Sequence, residues 1–186
     1  SDVCSSDLSD GMNLIRYLNF IGAPMDRFRW PETMAFRNGI PNDQLKFIYS
    51  AADVYLGTSM GEGFGIPTIE AQACGTPVIV SKFAGSQELA GPHSTLIDGQ
   101  RQWDEFQGSY WIVPDVRQIE GALVHNYLQT KAGVVDRAEV RAFAVQYDAD
   151  LIYDEHWRPL IQQLAKRTGP APAPNRAERR AAKRAK

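Results

Sequence analysis

Between Ala51 and Ser81 the chain reads AADVYLGTSMGEGFGIPTIEAQACGTPVIVS, and few folds accommodate that order of residue types. Two apolar runs, Val54–Leu56 and Val78–Val80, have the composition of strands. Between them stand Gly61, Gly63 and Gly65, then Pro67, then a short helix-forming stretch that stops at Gly75. Pro67 suits a first helical position, because its missing N–H would be unpaired there anyway. Gly75 caps the stretch and Thr76-Pro77 forbids its continuation. The spacing predicts strand, glycine loop, a helix of about two turns and a second strand. That unit implies two parallel strands and a right-handed crossover. In an open parallel sheet, ligands bind outside the carboxyl ends of the strands, where this loop begins.

A glycine-rich loop can lay its backbone N–H groups against a ligand, since no Cβ stands in the way. Feeding a helix N-terminus, it adds unpaired amides and a dipole that favour an anion. Glu62 in the loop and Glu70 in the helix bracket this device, with seven residues between them. A helical carboxylate near an N-terminus can serve merely as a dipole-complementing charge. Two carboxylates facing one cleft can instead accept hydrogen bonds from vicinal hydroxyls, meaning sugar or ribose. The loop alone leaves both readings standing.

Taken as one ordered string, the residues resemble a family. Ala52-Asp53, Ser59, Glu62-Gly63-Phe64-Gly65, Pro67, Glu70-Ala71, Cys74-Gly75 and Pro77-Val78 follow the pattern of retaining, GT-B-fold glycosyltransferases of the family 4, "group 1" type. Gly85 to Leu89 resembles that family's Gly-x-x-Glu step. The likeness runs from about Gly11 to Ala122. It implies an α/β fold, a Rossmann-like parallel sheet flanked by helices, forming the C-terminal half of a GT-B protein. It also implies transfer of a hexose from a UDP- or GDP-hexose donor. On that likeness Glu62 is the catalytic residue, touching donor hydroxyls near the anomeric centre and stabilising rather than attacking. The amides of Gly63, Phe64, Gly65 and Ile66 face sugar and diphosphate, and Glu70 grips the ribose. No cofactor and no metal are expected, since no Asp-x-Asp pair sits at a strand end and the helix dipole serves the phosphates.

The pattern is incomplete. No strand, turn and Arg/Lys pair of the kind that clamps the diphosphate in that family precedes Gly11, and the resemblance implies an acceptor-binding N-terminal domain outside these 186 residues. The first eight residues, SDVCSSDL, resemble the translation of a sequencing-adapter end, the alternative being a genuine polar terminus, and are set aside from fold reasoning. The expectation is a fragment: an artefact at 1–8, an incomplete donor-binding domain at 9–165, and a tail at 166–186. A chain of 186 residues has room for one ordinary domain.

Composition agrees with an intracellular globular domain, and a cytoplasmic location is expected. Apolar residues make up 44% and charged residues 23%, near the values of soluble domains. No run approaches a membrane span. With Cys4 set aside, Cys74 has no disulfide partner, which fits a reducing compartment and a small core residue. His93, His125 and His156 lack metal-ligand spacing; His93 either lines the site or serves surface or core duty.

Helices are predicted at Met12–Ile21, Gln44–Ala51 (capped by Asp43), Pro114–Tyr127, Val135–Gln146 and Asp150–Ala165, with a short one closing at Glu88–Ala90. Strands are predicted at Arg27–Trp30, Thr95–Ile97 and Tyr110–Val113. The segment His93–Gln107 reads as an irregular insertion, with Trp103 and Phe106 as loop-packing aromatics rather than a sugar platform.

The tail has a different character. Of the chain's 20 basic and 22 acidic residues, eight basic and one acidic (Glu178) fall within 166–186, leaving twelve and twenty-one for the body. Pro170, Pro172 and Pro174 mark an extended linker. The basic end reads either as a solvated terminus or as a contact for an anionic surface, including peripheral attachment at the inner membrane face. No specific nucleic acid is predicted. Two other functions stay open: a nucleotide-sugar-binding module inactive by itself, and another GT-B enzyme such as a sugar-nucleotide epimerase or sugar-phosphate synthase.

Overall fold

The computed structural model describes residues 14–30 and 38–167. The adapter-like start and the Pro-rich, basic stretch from Thr168 onward lie outside those residues. The chain divides into two compact units, 1–47 and 48–186.

In the first unit, helix α1 spans Leu14–Phe20, inside the predicted Met12–Ile21. The strand expected at Arg27–Trp30 does not form. Instead Met25–Arg27 is a single 3₁₀ turn, in which Arg27 N–H donates to Pro24 O and Phe28 N–H to Met25 O. Those local bonds occupy backbone groups that a strand would offer to a neighbour. Phe28 and Trp30 stack at 5.8 Å. Helix α2, Asn42–Ala51, whose last four residues belong to the second unit, starts two residues earlier than predicted. Pro41 O accepts from the Gln44 and Leu45 amides, so Asp43 lies inside the first turn rather than capping it.

The second unit is a three-layer α/β assembly. Strands β1 (Tyr55–Gly57), β2 (Val78–Ser81) and β3 (Thr95–Ile97) form a parallel sheet in the order β1-β2-β3. Tyr55 pairs with Val78 and Ile79 with Thr95. All four residues of β2 are buried, as a central parallel strand requires. Its side chains alternate between two cores. Val78 and Val80 pack with Ala71, Tyr49 and Tyr55 on one face, and Ile79 with Ile97, Ala122 and Ile119 on the other. Each such Val or Ile contributes about 1.5–3 kcal/mol by burial.

Helix α3 (Ile66–Ala73) connects β1 to β2, and the five-residue α4 (Ala84–Glu88) follows β2. Pro67 is the second residue of α3, not the first. Gly75, at φ +79°, closes that helix as predicted. Buried Gln72 of α3 donates to Thr68 O and Leu89 O and accepts from Gly91 N–H, clamping the connection that leads into β3.

The segment His93–Gln107 is more regular than its sequence suggests. β4 (Gly99–Asp104) and β5 (Ser109–Pro114) form an antiparallel hairpin, registered from Gly99↔Pro114 to Asp104↔Ser109. Trp103 meets Tyr110 edge to face at 5.0 Å across it. Phe106 at the turn is fully exposed and packs on nothing, contrary to the loop-packing role expected of it.

Helix α5 (Val116–Lys131) is capped by Asp115, whose carboxylate accepts from the Arg117 and Gln118 amides. It runs a turn beyond the predicted end. Helix α6 (Arg137–Val145), capped by Asp136, packs on α3; Arg141 Nε donates to Ala73 O. The last predicted helix is observed as α7 (Ala149–Ile152), a π turn (Tyr153–Trp157) and α8 (Arg158–Arg167). Among the described residues, no helix is long and apolar enough to cross a membrane.

Candidate active site

The loop from Ser59 to Gly65 leaves the carboxyl end of β1 and is held by three outside groups. Ser81 Oγ donates to Ser59 O at 2.6 Å, Ile112 N–H to Met60 O at 2.9 Å, and Gly85 N–H to Glu62 O at 3.2 Å. The last contact explains Gly85: a Cβ there would stand 2.6 Å from Gly63 O. Gly65 sits at φ +89° as the N-cap of α3, a left-handed conformation costly for other residues. Gly61 and Gly63 differ. A Cβ on either would meet nothing within 4 Å, so no protein atom demands glycine there.

The two glutamates are set behind this loop by hydroxyl donors. Ser59 Oγ donates to Glu62 Oε1 at 2.8 Å, and the Tyr49 hydroxyl donates to Glu70 Oε2 at 3.0 Å. Tyr49 also meets Tyr55 edge to face at 6.1 Å. The Tyr55 ring lies over Gly57, where a Cβ would sit 2.6 Å from its edge, so its hydroxyl reaches the carboxyl end of β1. Burial pushes the Tyr55 phenol above its ordinary range, and the charges of Glu62 and then Glu70 push it further. Burial, followed by the Glu70 hydrogen bond, raises Tyr49 strongly as well. Both phenols stay protonated at neutral pH and remain donors.

A cleft of about 810 Å³ opens beside the loop, lined by Ser59 to Gly63 on one wall and by the hairpin residues Arg101, Gln107, Tyr110 and Trp111 on the other. It lies where β1, β2 and β3 all deliver their carboxyl ends, as an open parallel sheet requires. Of the residues singled out from sequence, Glu62 and Gly63 line it. Phe64 turns away to meet Tyr147 edge to face at 5.9 Å. Ile66 and Gly65 begin α3, and Glu70 lies one turn on, outside the cleft lining. His93 does not line it either; its Nε2 lies 3.1 Å from Glu139 Oε2. Sequence reasoning missed Tyr49, Tyr55 and Arg101. The tyrosines fell within a predicted helix and a predicted strand with no role given to their side chains, and Arg101 lay in a segment taken as irregular.

Comparison with known proteins fits this arrangement. Residues 29–109 match the family described as "Glycosyl transferases group 1". Residues 29–109 are thus similar to a segment of the group 1 glycosyltransferases. A D-inositol 3-phosphate glycosyltransferase of Corynebacterium jeikeium is 29% identical over 123 residues, covering 64% of this chain and 29% of that protein. The O-antigen chain mannosyltransferase B of Escherichia coli is 36% identical over 59 residues, covering 32% and 16%. A D-inositol 3-phosphate glycosyltransferase of Corynebacterium urealyticum is 44% identical over 62 residues, covering 32% and 15%. The chain spans less than a third of the length of each of these relatives.

Proposed function

We propose that this chain holds the donor site of a retaining hexosyltransferase of the family 4 type, taking a hexose from UDP- or GDP-hexose. The observation that carries this reading is a glycine loop at the carboxyl end of β1 whose Gly61 and Gly63 face open space, with Glu62 lining the adjoining cleft. Glu70, held by Tyr49, is the hydrogen-bond acceptor for ribose hydroxyls. Glu62, oriented by Ser59, accepts from hexose hydroxyls beside the anomeric carbon and stabilises the positive charge that develops there. Amides of Gly63, Phe64, Gly65 and Ile66 meet the sugar and the diphosphate at the start of α3. The leaving phosphate takes the acceptor's proton, so no side chain need attack.

A separate N-terminal domain supplies the acceptor in this proposal, and the protein works in the cytoplasm, with the basic tail on an anionic surface. The small share of each relative's length favours a second reading for this chain by itself, namely binding of donor without transfer. The phosphates need no divalent metal in either reading; EDTA leaves donor affinity unchanged, and a fall on chelation would count against it.

Isothermal titration with UDP- and GDP-hexoses tests the assignment. Glu70→Ala weakens nucleoside diphosphate binding about tenfold, or about 1.4 kcal/mol. Glu62→Ala leaves nucleoside diphosphate affinity alone and weakens only the hexose conjugate. Equal donor affinity in wild type and Glu70→Ala would remove Glu70 from the site.

A further inference from the structure

The hairpin brings one cation into the cleft. Arg101 stands on β4 opposite Ile112, the residue whose N–H holds the glycine loop at Met60 O. Its guanidinium lies over the Phe83 ring, 5.9 Å from the centroid. Stacking on an aromatic face fixes the plane of the guanidinium at little further entropic cost. Among the described residues no carboxylate pairs with Arg101, although Glu62 lines the same cleft. Glu62 Oε1 is instead taken by Ser59.

We infer that Arg101 is the cation of a phosphate subsite between the β4–β5 hairpin and the Ser59–Gly63 loop. A forked guanidinium matches two oxygens of a phosphate, and the remaining oxygen faces the loop across the cleft. A carboxylate has two oxygens and satisfies one wall alone. The aromatic neighbours Phe83, Tyr110 and Trp111 offer faces to the rest of the ligand. A volume of about 810 Å³ accommodates a phosphorylated ligand well above the size of a free ion. The inference rests on the donor-site reading for the loop. The phosphate belongs either to the donor's diphosphate or to a phosphorylated acceptor.

Titration calorimetry on the full chain separates these sources. The probes are UDP, GDP, uridine, guanosine and glucose 6-phosphate, against wild type, Arg101→Gln and Arg101→Lys. Arg101→Gln is expected to weaken at least one phosphorylated probe about tenfold, with nucleosides unchanged and Arg101→Lys recovering part of the loss. A loss confined to UDP or GDP assigns the donor diphosphate; one confined to glucose 6-phosphate assigns an acceptor phosphate. Unchanged affinity for every phosphorylated probe in Arg101→Gln overturns the subsite while leaving the donor site intact. Equal weakening of the nucleosides overturns it too, because Arg101 would then act through packing. If wild type binds glucose 6-phosphate through Arg101 but neither nucleotide, the donor reading falls and the inference that rests on it falls too. If wild type binds none of the probes, both fall.

Discussion

The two walls of the cleft are built on opposite plans. The loop wall, Ser59 to Gly65, alternates glycines with Met60, Glu62 and Phe64 and is fixed through its own carbonyls, by donors from Ser81, Gly85 and Ile112. The hairpin wall is fixed through a ladder of backbone pairs and carries its chemistry on long side chains, Arg101, Tyr110 and Trp111. A backbone wall offers amides at set positions and tolerates little change. A side-chain wall can exchange its residues while the ladder stays the same. The difference predicts that substitutions disturb the loop wall through its backbone and the hairpin wall through single side chains.

Substitutions can break that contrast, and the largest effect belongs to the loop. Gly85→Val places a side chain against Gly63 O, where even a Cβ lies at 2.6 Å. It should cost about 2–3 kcal/mol by overpacking and abolish donor binding. Chemical denaturation and calorimetry check both; a stable variant that binds donor normally would mean the loop is not fixed by this contact.

A smaller effect concerns the phenols behind the loop. Tyr49 and Tyr55 are both raised above the ordinary value of about 10. A raised folded-state pKa contributes stability that is whole below the unfolded value and is lost as pH climbs toward the folded one. Stability should therefore fall above about pH 10, where free tyrosine ionises. Tyr49→Phe combined with Tyr55→Phe should flatten that fall. Thermal melts across alkaline pH supply the measurement, and an unchanged slope in the double variant would contradict it.

The smallest effect lies at the hairpin tip. Phe106 is fully exposed, so Phe106→Ala should change stability by less than about 0.5 kcal/mol and leave ligand affinity alone. A measurable loss of affinity would show that the tip folds over the ligand and would blur the distinction between the walls.

How much was legible followed the same division. The strand–loop–helix–strand core could be read because β2 is a continuous apolar run and α3 is bounded by Pro67 and Gly75. The boundaries shifted by a residue or so, as at β1, where Tyr55–Gly57 replaces Val54–Leu56. Strand β4 was hidden because Gln100, Arg101 and Gln102 have neither β propensity nor apolar alternation. Its stability comes from the partner strand, which the local sequence does not display. One signal was present: Asp104 and Gly108 bracket a turn, and Asp104 Oδ1 accepts from the Gln107 amide. Tyr49 was obscured differently. Its partner Glu70 lies 21 residues away, and no local pattern announces that bond.

The groups that moor the glycine loop come from far along the chain; Ser81 is 22 residues from Ser59, and Ile112 lies farther still from Met60. Contacts of such separation close late in folding, after local helices have formed. Donor binding should consequently arise last during refolding, behind the recovery of helical signal. In stopped-flow experiments a nucleotide sugar would then act as a clock for the completed fold, blind to every partly folded form.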